Sequence, residues 1–262
     1  MKRFAMLLAL LVLTPAYADD AAQKVADCMR ANFPPSIRIQ ALELSTINQA
    51  GDTRSMKGRV FVLREDEGKD KGLLRTMLKI DAPSNLKGAA YLVRETDDFL
   101  RDGMFVYLPA VNRVRRVTGE FADGSLMGTD FSYYDFKQLQ GAFGDLSGKL
   151  ESSDQIEGRA VQVLSFQPLP NVDSPYTSVK VWVDQQTCVP LRADFNEGDK
   201  VLKRLSASPK ALQQSGKFWY LAELEMKNLG KGTRSVLKLG EVTSGSELSN
   251  VYFNPSSFYL GN

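Results

Sequence analysis

Histidine is absent from all 262 residues of the chain. That absence removes Ser-His-Asp and Cys-His triads, H-E-x-x-H zinc sites and imidazole acid–base chemistry together. Cysteine is nearly absent: with only Cys28 and Cys188, an all-cysteine zinc site cannot be assembled. Long apolar runs are missing too, since no stretch beyond the first residues reaches the length of a membrane-spanning helix. Nor is there a charge excess. The 33 basic and 31 acidic residues leave a net charge of +2, and Lys2 and Arg3 supply two of those positive charges. Without the first 18 residues the two signs balance, which leaves no electrostatic case for nucleic acid. Carboxylate, lysine, tyrosine and cysteine chemistry survive these exclusions, but none shows a motif and there is no G-x-S-x-G elbow. The expectation is a protein that is not an enzyme, with no catalytic residue, no metal and no cofactor.

What is present begins at the N-terminus. Lys2 and Arg3 precede an apolar run over residues 4–13, then Thr14-Pro15 and the small-residue pattern Ala16-Tyr17-Ala18. A basic start, a short apolar core and an A-x-A site make residues 1–18 a secretory signal peptide cleaved after Ala18. Residues 19–262 then form a single domain, expected in the periplasm and in solution there. A lipoprotein would carry cysteine directly after the cleavage site, whereas Cys28 stands well beyond it. In an oxidising compartment Cys28 and Cys188 are expected to form a disulfide, the alternative being two buried free thiols.

Residues 20–32 have helical spacing, with Ala21, Val25, Cys28 and Met29 along one stripe and Asp19 or Asp20 as N-cap. Phe33-Pro34-Pro35 ends it. Strand-like runs follow at about 37–47, 56–64, 73–80, 88–94, 103–108 and 112–117. A second group lies at about 160–166, 178–184, 190–195, 199–205, 217–227 and 233–243. A short amphipathic helix is expected over 134–143. A dozen strands in hairpin order make a mainly β chain with a few short helices, built on one large curled antiparallel sheet.

Several runs alternate. In 217–227 Phe218, Tyr220, Ala222, Leu224 and Met226 share one face, and Lys217, Trp219, Glu223, Glu225 and Lys227 the other. Val179, Val181 and Val183 oppose Lys180, Trp182 and Asp184; Leu74, Leu78 and Ile80 oppose Arg75 and Lys79. One apolar face and one wet face is the pattern of a sheet covering a single interior. Two short helices are little cover for such a face. Either the sheet closes on its own side chains or a cavity persists beneath the helices. If it persists, Leu74, Leu78, Val179, Val181, Phe218, Tyr220, Leu224 and Met226 are its expected lining.

Three smaller features stand out. Met127, Phe131, Tyr133 and Tyr134 could gate a cavity or simply pin a loop to the core. Arg113, Arg115 and Arg116 could meet a lipid headgroup or an acidic partner, or simply keep an edge strand solvated. On a strand, Arg113 and Arg115 share a face and Arg116 takes the other. Asp130 and Asp135 resemble a carboxylate pair, and capping and turn chemistry accounts for them better.

The segment over 104–117, with Tyr107-Leu108-Pro109 ahead of Arg113, Arg115 and Arg116, and the segment over 124–136 resemble the LolA-like outer membrane lipoprotein-sorting group. The N-terminal helix, the strand order and the ending Asn254-Pro255-Ser256-Ser257-Phe258 fit the same resemblance. It implies an incomplete β-barrel with a helical lid over a hydrophobic cavity, and a carrier of lipid or lipoprotein acyl chains between membranes. It also implies an RND-type (MmpL-like) exporter as inner-membrane partner, peripheral membrane contact and a monomer. The alternative within the same resemblance is an RseB-like lipid sensor that signals without transport. The chain departs from LolA in its length, its cysteine pair and the Arg113, Arg115 and Arg116 cluster.

Overall fold

The computed structural model describes residues 20–65, 72–95, 103–140, 143, 146–170, 174–245 and 247–261. The expected signal peptide lies outside the described residues. Helix α1 (Asp20–Ala31) comes first, its buried side given by Ala22, Val25 and Met29. Asp20 in its first turn and Arg30 in its last complement the helix dipole. Six strands follow: β1 (Ser36–Ile47), β2 (Thr53–Arg64), β3 (Leu74–Ala82), β4 (Ala90–Arg94), β5 (Gly103–Leu108) and β6 (Arg113–Arg116). Helix α2 (Tyr133–Gln140) separates them from β7 (Leu146–Ile156), β8 (Arg159–Pro168), β9 (Ser178–Asp184), β10 (Pro190–Glu197) and β11 (Lys200–Ser206). The last four are β12 (Leu212–Ser215), β13 (Phe218–Leu221), β14 (Glu223–Asn228) and β15 (Thr233–Ser244).

Among the described residues, thirteen strands form one antiparallel sheet in the order β6-β5-β4-β3-β2-β1-β15-β14-β11-β10-β9-β8-β7. The first and last strands pair at its middle, and the sheet does not close, so β6 and β7 are free edges. Bulges keep the apolar residues facing inward. The β1–β2 register shifts between Ile39 and Leu42, so that Ile37 and Ile39 share the inner face with Leu42 and Leu44. Opposite them, Leu237 and Leu239 fall in phase with Val242 because Glu241 adopts a left-handed φ of 54°.

The inner face carries the main core. The outer face is apolar where the C-terminal segment lies across β2 to β5, with a smaller apolar cluster of Val161, Val163 and Trp182 on β8 and β9. Phe253 and Phe258 pack there on Phe61, Met77, Ala90 and Leu92; Tyr252 stacks on Phe61 at 4.3 Å and Tyr259 on Tyr107 at 4.0 Å. β4 is therefore buried on both sides, and Ala90-Tyr91-Leu92-Val93 reads as an unbroken apolar run. At the other end the outer face is an ionic ladder. Arg159 clasps Asp184 through two bonds of 2.6 and 2.8 Å, and Asp194 accepts four bonds from Arg192 and Arg204 at 2.5–3.0 Å. The Arg192 guanidinium also lies 4.1 Å from the Trp182 ring.

Two sequence expectations need correction. Run 217–227 is not one strand: β13 pairs with β12 in a separate ribbon and β14 joins the main sheet. Ala222 is the joint, its N–H donating to Ala211 and its carbonyl accepting from Leu239. Trp219, expected on the wet face, packs inward with Phe218 and Tyr220. The second correction is β7, like β12 a strand absent from the expectations. It is an edge strand whose Glu151, Ser152, Ser153, Asp154 and Gln155 are all exposed, so alternation never marks it.

Cys28 and Cys188 are joined, their Cα atoms 5.8 Å apart, tying α1 to the β9–β10 turn across 160 residues. Chain entropy for a loop of that length corresponds to about 5 kcal/mol. The Cys28→Ser/Cys188→Ser variant is expected to lose about 2–5 kcal/mol in denaturant unfolding. Intact mass of the wild type should show two alkylated thiols only after reduction. At Asp194 burial works to raise the pKa, and the hydrogen bonds from Arg192 and Arg204 outweigh it and hold the carboxyl below its usual range. A depressed folded-state pKa stabilises above the unfolded value of about 3.9, and that stabilisation is lost as the pH falls through the folded value. Asp194→Asn should thus cost about 1–3 kcal/mol near neutral pH, the gap to wild type closing in acid unfolding titrations below roughly pH 4.

Candidate functional site

The inner face has two unlike halves. Under β8, β9 and β10 it is filled: Leu164, Phe166, Val179, Val181, Ala193 and Phe195 are buried beneath Tyr134, Phe143 and Tyr176. Their rings meet at 5.0–6.0 Å, Tyr176 against Phe195, Phe143 against Phe166 and Tyr134 against Tyr176. Over β1, β2, β3, β14 and β15 it is not filled, and a cavity of about 260 Å³ persists. Its floor is Ile37, Ile39, Leu42, Leu44, Val60, Val62, Leu78, Leu224, Leu237, Leu239 and Val242. Its roof comes from three separate pieces. The end of α1 supplies Met29 and Phe33, the β12–β13 ribbon Phe218, Trp219, Tyr220 and Leu221, and the segment through α2 Leu126, Phe131, Phe136 and Leu139. Phe136 and Leu139 are one helical turn apart and so share a face.

Each roof piece is held by polar bonds at its margin. The Asn32 amide pairs with the Trp219 backbone, donating to its carbonyl at 2.8 Å and accepting from its N–H at 2.9 Å. At the same turn end of the ribbon, Ser215 and Ser244 exchange side-chain and backbone bonds at 3.1 Å. The third piece has two carboxylate anchors. Asp130 accepts from Thr233 and from Ser235 (2.8 Å) on β15, and its own N–H donates to Ser235 at 2.9 Å. Asp135, wholly buried, exchanges bonds with Ser132 in a capping box at 2.8 and 3.0 Å. It also accepts from Lys203 on β11 at 2.7 Å and from the Tyr176 hydroxyl at 2.6 Å. Burial first, then the Asp135 charge, push the Tyr176 phenol up, so it remains a donor.

Of the residues expected to line a cavity, Leu78, Phe218, Tyr220 and Leu224 do. Leu74, Val179, Val181 and Met226 are buried in the same core and do not reach the void. Of the expected gate, Phe131 is in the roof, and Met127 and Tyr133 pack partly buried behind it. Tyr133 sits 4.9 Å from Tyr91, and Tyr134 lies over Tyr176 in the filled half. Arg113, Arg115 and Arg116 are exposed on edge strand β6, away from the cavity wall. Asp130 and Asp135 are far apart in role: each ties the roof to a different strand. Sequence reasoning missed the largest contributors to the floor, β1, β2 and β15. In β1 and β15 the alternation changes phase mid-strand, after Ile39 and at Glu241, while β2 is apolar on both faces, with Val60 and Val62 inward and Phe61 outward.

The groups facing the void are almost all hydrocarbon and aromatic, and the hydroxyls of Ser215 and Ser244 are already spent on each other. Among the described residues no cluster of metal-ligating side chains occurs, and no helix is long and apolar enough to cross a membrane. Chemically, such a site can hold an alkyl chain and do little else.

Comparisons with known proteins agree with this architecture. A DUF1329 family protein from Desulfovibrio piger superposes with a TM-score of 0.82 at 24% identity, over 90% of this chain and 97% of that one. An outer membrane lipoprotein-sorting protein domain from Vibrio parahaemolyticus gives 0.80 at 21% identity, over 92% and 99%. A LolA superfamily protein from Nitrosomonas europaea gives 0.67 at 18%, over 89% and 97%. At these identities the likeness is one of fold. No curated protein matches the sequence. A family model described as that of an uncharacterized protein matches residues 72–259, more than half of the chain. The chain belongs to that family, and its fold is LolA-like.

Proposed function

We propose that the protein is a periplasmic carrier that holds a lipid or lipoprotein acyl chain between the β1–β3/β14–β15 floor and the three-piece roof. The observation that carries the proposal is the void itself, an apolar chamber of about 260 Å³ in a fold whose other half is tightly filled. Each methylene buried there contributes roughly 0.8 kcal/mol, so a chain of about ten carbons gains some 8 kcal/mol before association costs. That is a range suited to binding that can be reversed on delivery. The N-terminal signal sequence supports export, and the resemblance to the lipoprotein-sorting group supports passage between membranes with an RND-type exporter as inner-membrane partner. Mature residues 19–262 act in this reading as one domain and one monomeric carrier.

Organic extracts and native mass spectra of protein purified gently from periplasm should contain a copurifying phospholipid or acylated peptide. A ligand-free protein that also ignores a fluorescent fatty-acyl probe would remove the proposal. Leu224→Glu places a charge on the floor at a half-buried position. It should weaken probe binding at least about tenfold, the cost of a charge left in an apolar site, with circular dichroism unchanged. Unchanged binding in the folded variant would place the ligand elsewhere.

A further inference from the structure

The edge strand β6 and its flanks have a composition that the cavity does not explain. Three arginines lie within four residues, and all are exposed. The register places two of them on the roof side of the sheet. Arg115 pairs with Val106 and Arg113 with Leu108, and both partners belong to the inner core. Val114 and Arg116 face the other way, with Tyr107 and Phe105 of the outer cluster. Arg113 and Arg115 have no ion-pair or hydrogen-bond partner among the described residues. Flanking the strand are two of the most exposed large apolar side chains described, Val111 at 52% on the β5–β6 turn and Phe121 at 76% just past the strand's end. From Val117 the same chain runs straight into the roof segment with its Asp130 and Asp135 anchors.

We propose that this corner, made of Val111, Arg113, Arg115 and Phe121, is the surface by which the protein docks on an anionic lipid bilayer. Unpaired guanidinium groups meet lipid phosphates, while the exposed Phe121 ring and the Val111 side chain enter the interfacial layer. An acidic protein surface would satisfy the arginines alone; the two apolar side chains beside them favour a bilayer, whose interface takes up both kinds of group. Because the docking strand is continuous with the roof segment, contact with the bilayer would bring the cavity's cover to the membrane. The purpose of docking rests on the carrier reading, and docking itself can be measured without it.

The test is flotation of the protein with phosphatidylcholine vesicles that contain or lack phosphatidylglycerol. Wild type should float with the anionic vesicles and stay behind with the neutral ones, and raised salt should release it. The Arg113→Glu/Arg115→Glu variant should bind at least about 30-fold more weakly, and Phe121→Ser several-fold more weakly. Lys200→Glu, at the exposed start of β11, should bind like wild type. All four positions are exposed, so thermal melts should coincide. Failure to float at low salt, or equal loss from Lys200→Glu and from the arginine pair, would overturn the docking site; the first result would point to a protein partner instead. Vesicle binding without uptake of an acyl probe would sink the carrier reading and leave the docking surface standing.

Discussion

A thirteen-stranded antiparallel sheet that does not close has one wide inner face to hide from water, and the rest of this molecule answers that demand. Strand alternation supplies an apolar face, but alternation alone supplies no partner for it. In a closed barrel the face would cover itself. Here the cover comes from elsewhere in the chain: α1 before the sheet, the 125–140 segment at its midpoint, and the β12–β13 ribbon interrupting the second half. The disulfide between Cys28 and Cys188 joins the first of these to the sheet across most of the sequence. The outer face meets the same constraint differently, apolar mainly where the C-terminal segment lies on it and largely ionic elsewhere.

The 125–140 segment is secured by charged groups inside an otherwise apolar region, and this shapes how it can move. Removing Asp135 and Lys203 from water costs nearly as much as their mutual attraction returns. The pair therefore sets position more than it adds stability, since hydration would compensate both groups if the roof lifted. Breaking one member alone is the expensive event, because the other would stay buried and uncompensated. Asp130 with Thr233 and Ser235 repeats the arrangement with uncharged donors. The segment is thus held by packed rings, Tyr134 on Tyr176 and Tyr133 on Tyr91, and its exact place is set by the polar bonds beside them.

Much of the fold was legible in the sequence because its signal is local. Period-two alternation in residues 178–184 or 74–80 depends only on neighbours, and so does the helical spacing that marks α1, although the buried stripe includes Ala22 in place of the expected Ala21. What escaped depends on distant parts of the chain. Strand β7 carries little alternation because its central residues 151–155 are exposed on both faces, and only Leu150 and Ile156 pack against apolar clusters. The break at Ala222 is invisible in an apolar run that alternates correctly through it, being made by bonds to Ala211 and Leu239. Asp130 and Asp135 read as turn and capping residues. Asp135 does cap α2, yet its partners Tyr176 and Lys203 lie 41 and 68 residues away. For the cavity, alternation identified which side of a strand faces inward and could not tell a lined void from a filled core. That is why Leu78 and Leu224 border the void while Val179 and Val181, with the same pattern, do not.

The void survives because nothing around it is free to collapse inward. Its roof pieces are fixed at their margins by the Asn32–Trp219, Ser215–Ser244, Asp130–Ser235 and Asp135–Lys203 contacts. The bulge in β1 and the left-handed Glu241 in β15 set which side chains form its floor. The chamber, about 260 Å³ and partly open to solvent, leaves its apolar lining short of contacts when no chain fills it. A hydrocarbon chain entering it restores the missing contacts, so occupancy and stability are linked: whatever fills the chamber also stabilises the closed roof. The same linkage read backwards says that a lifted roof loosens the ligand.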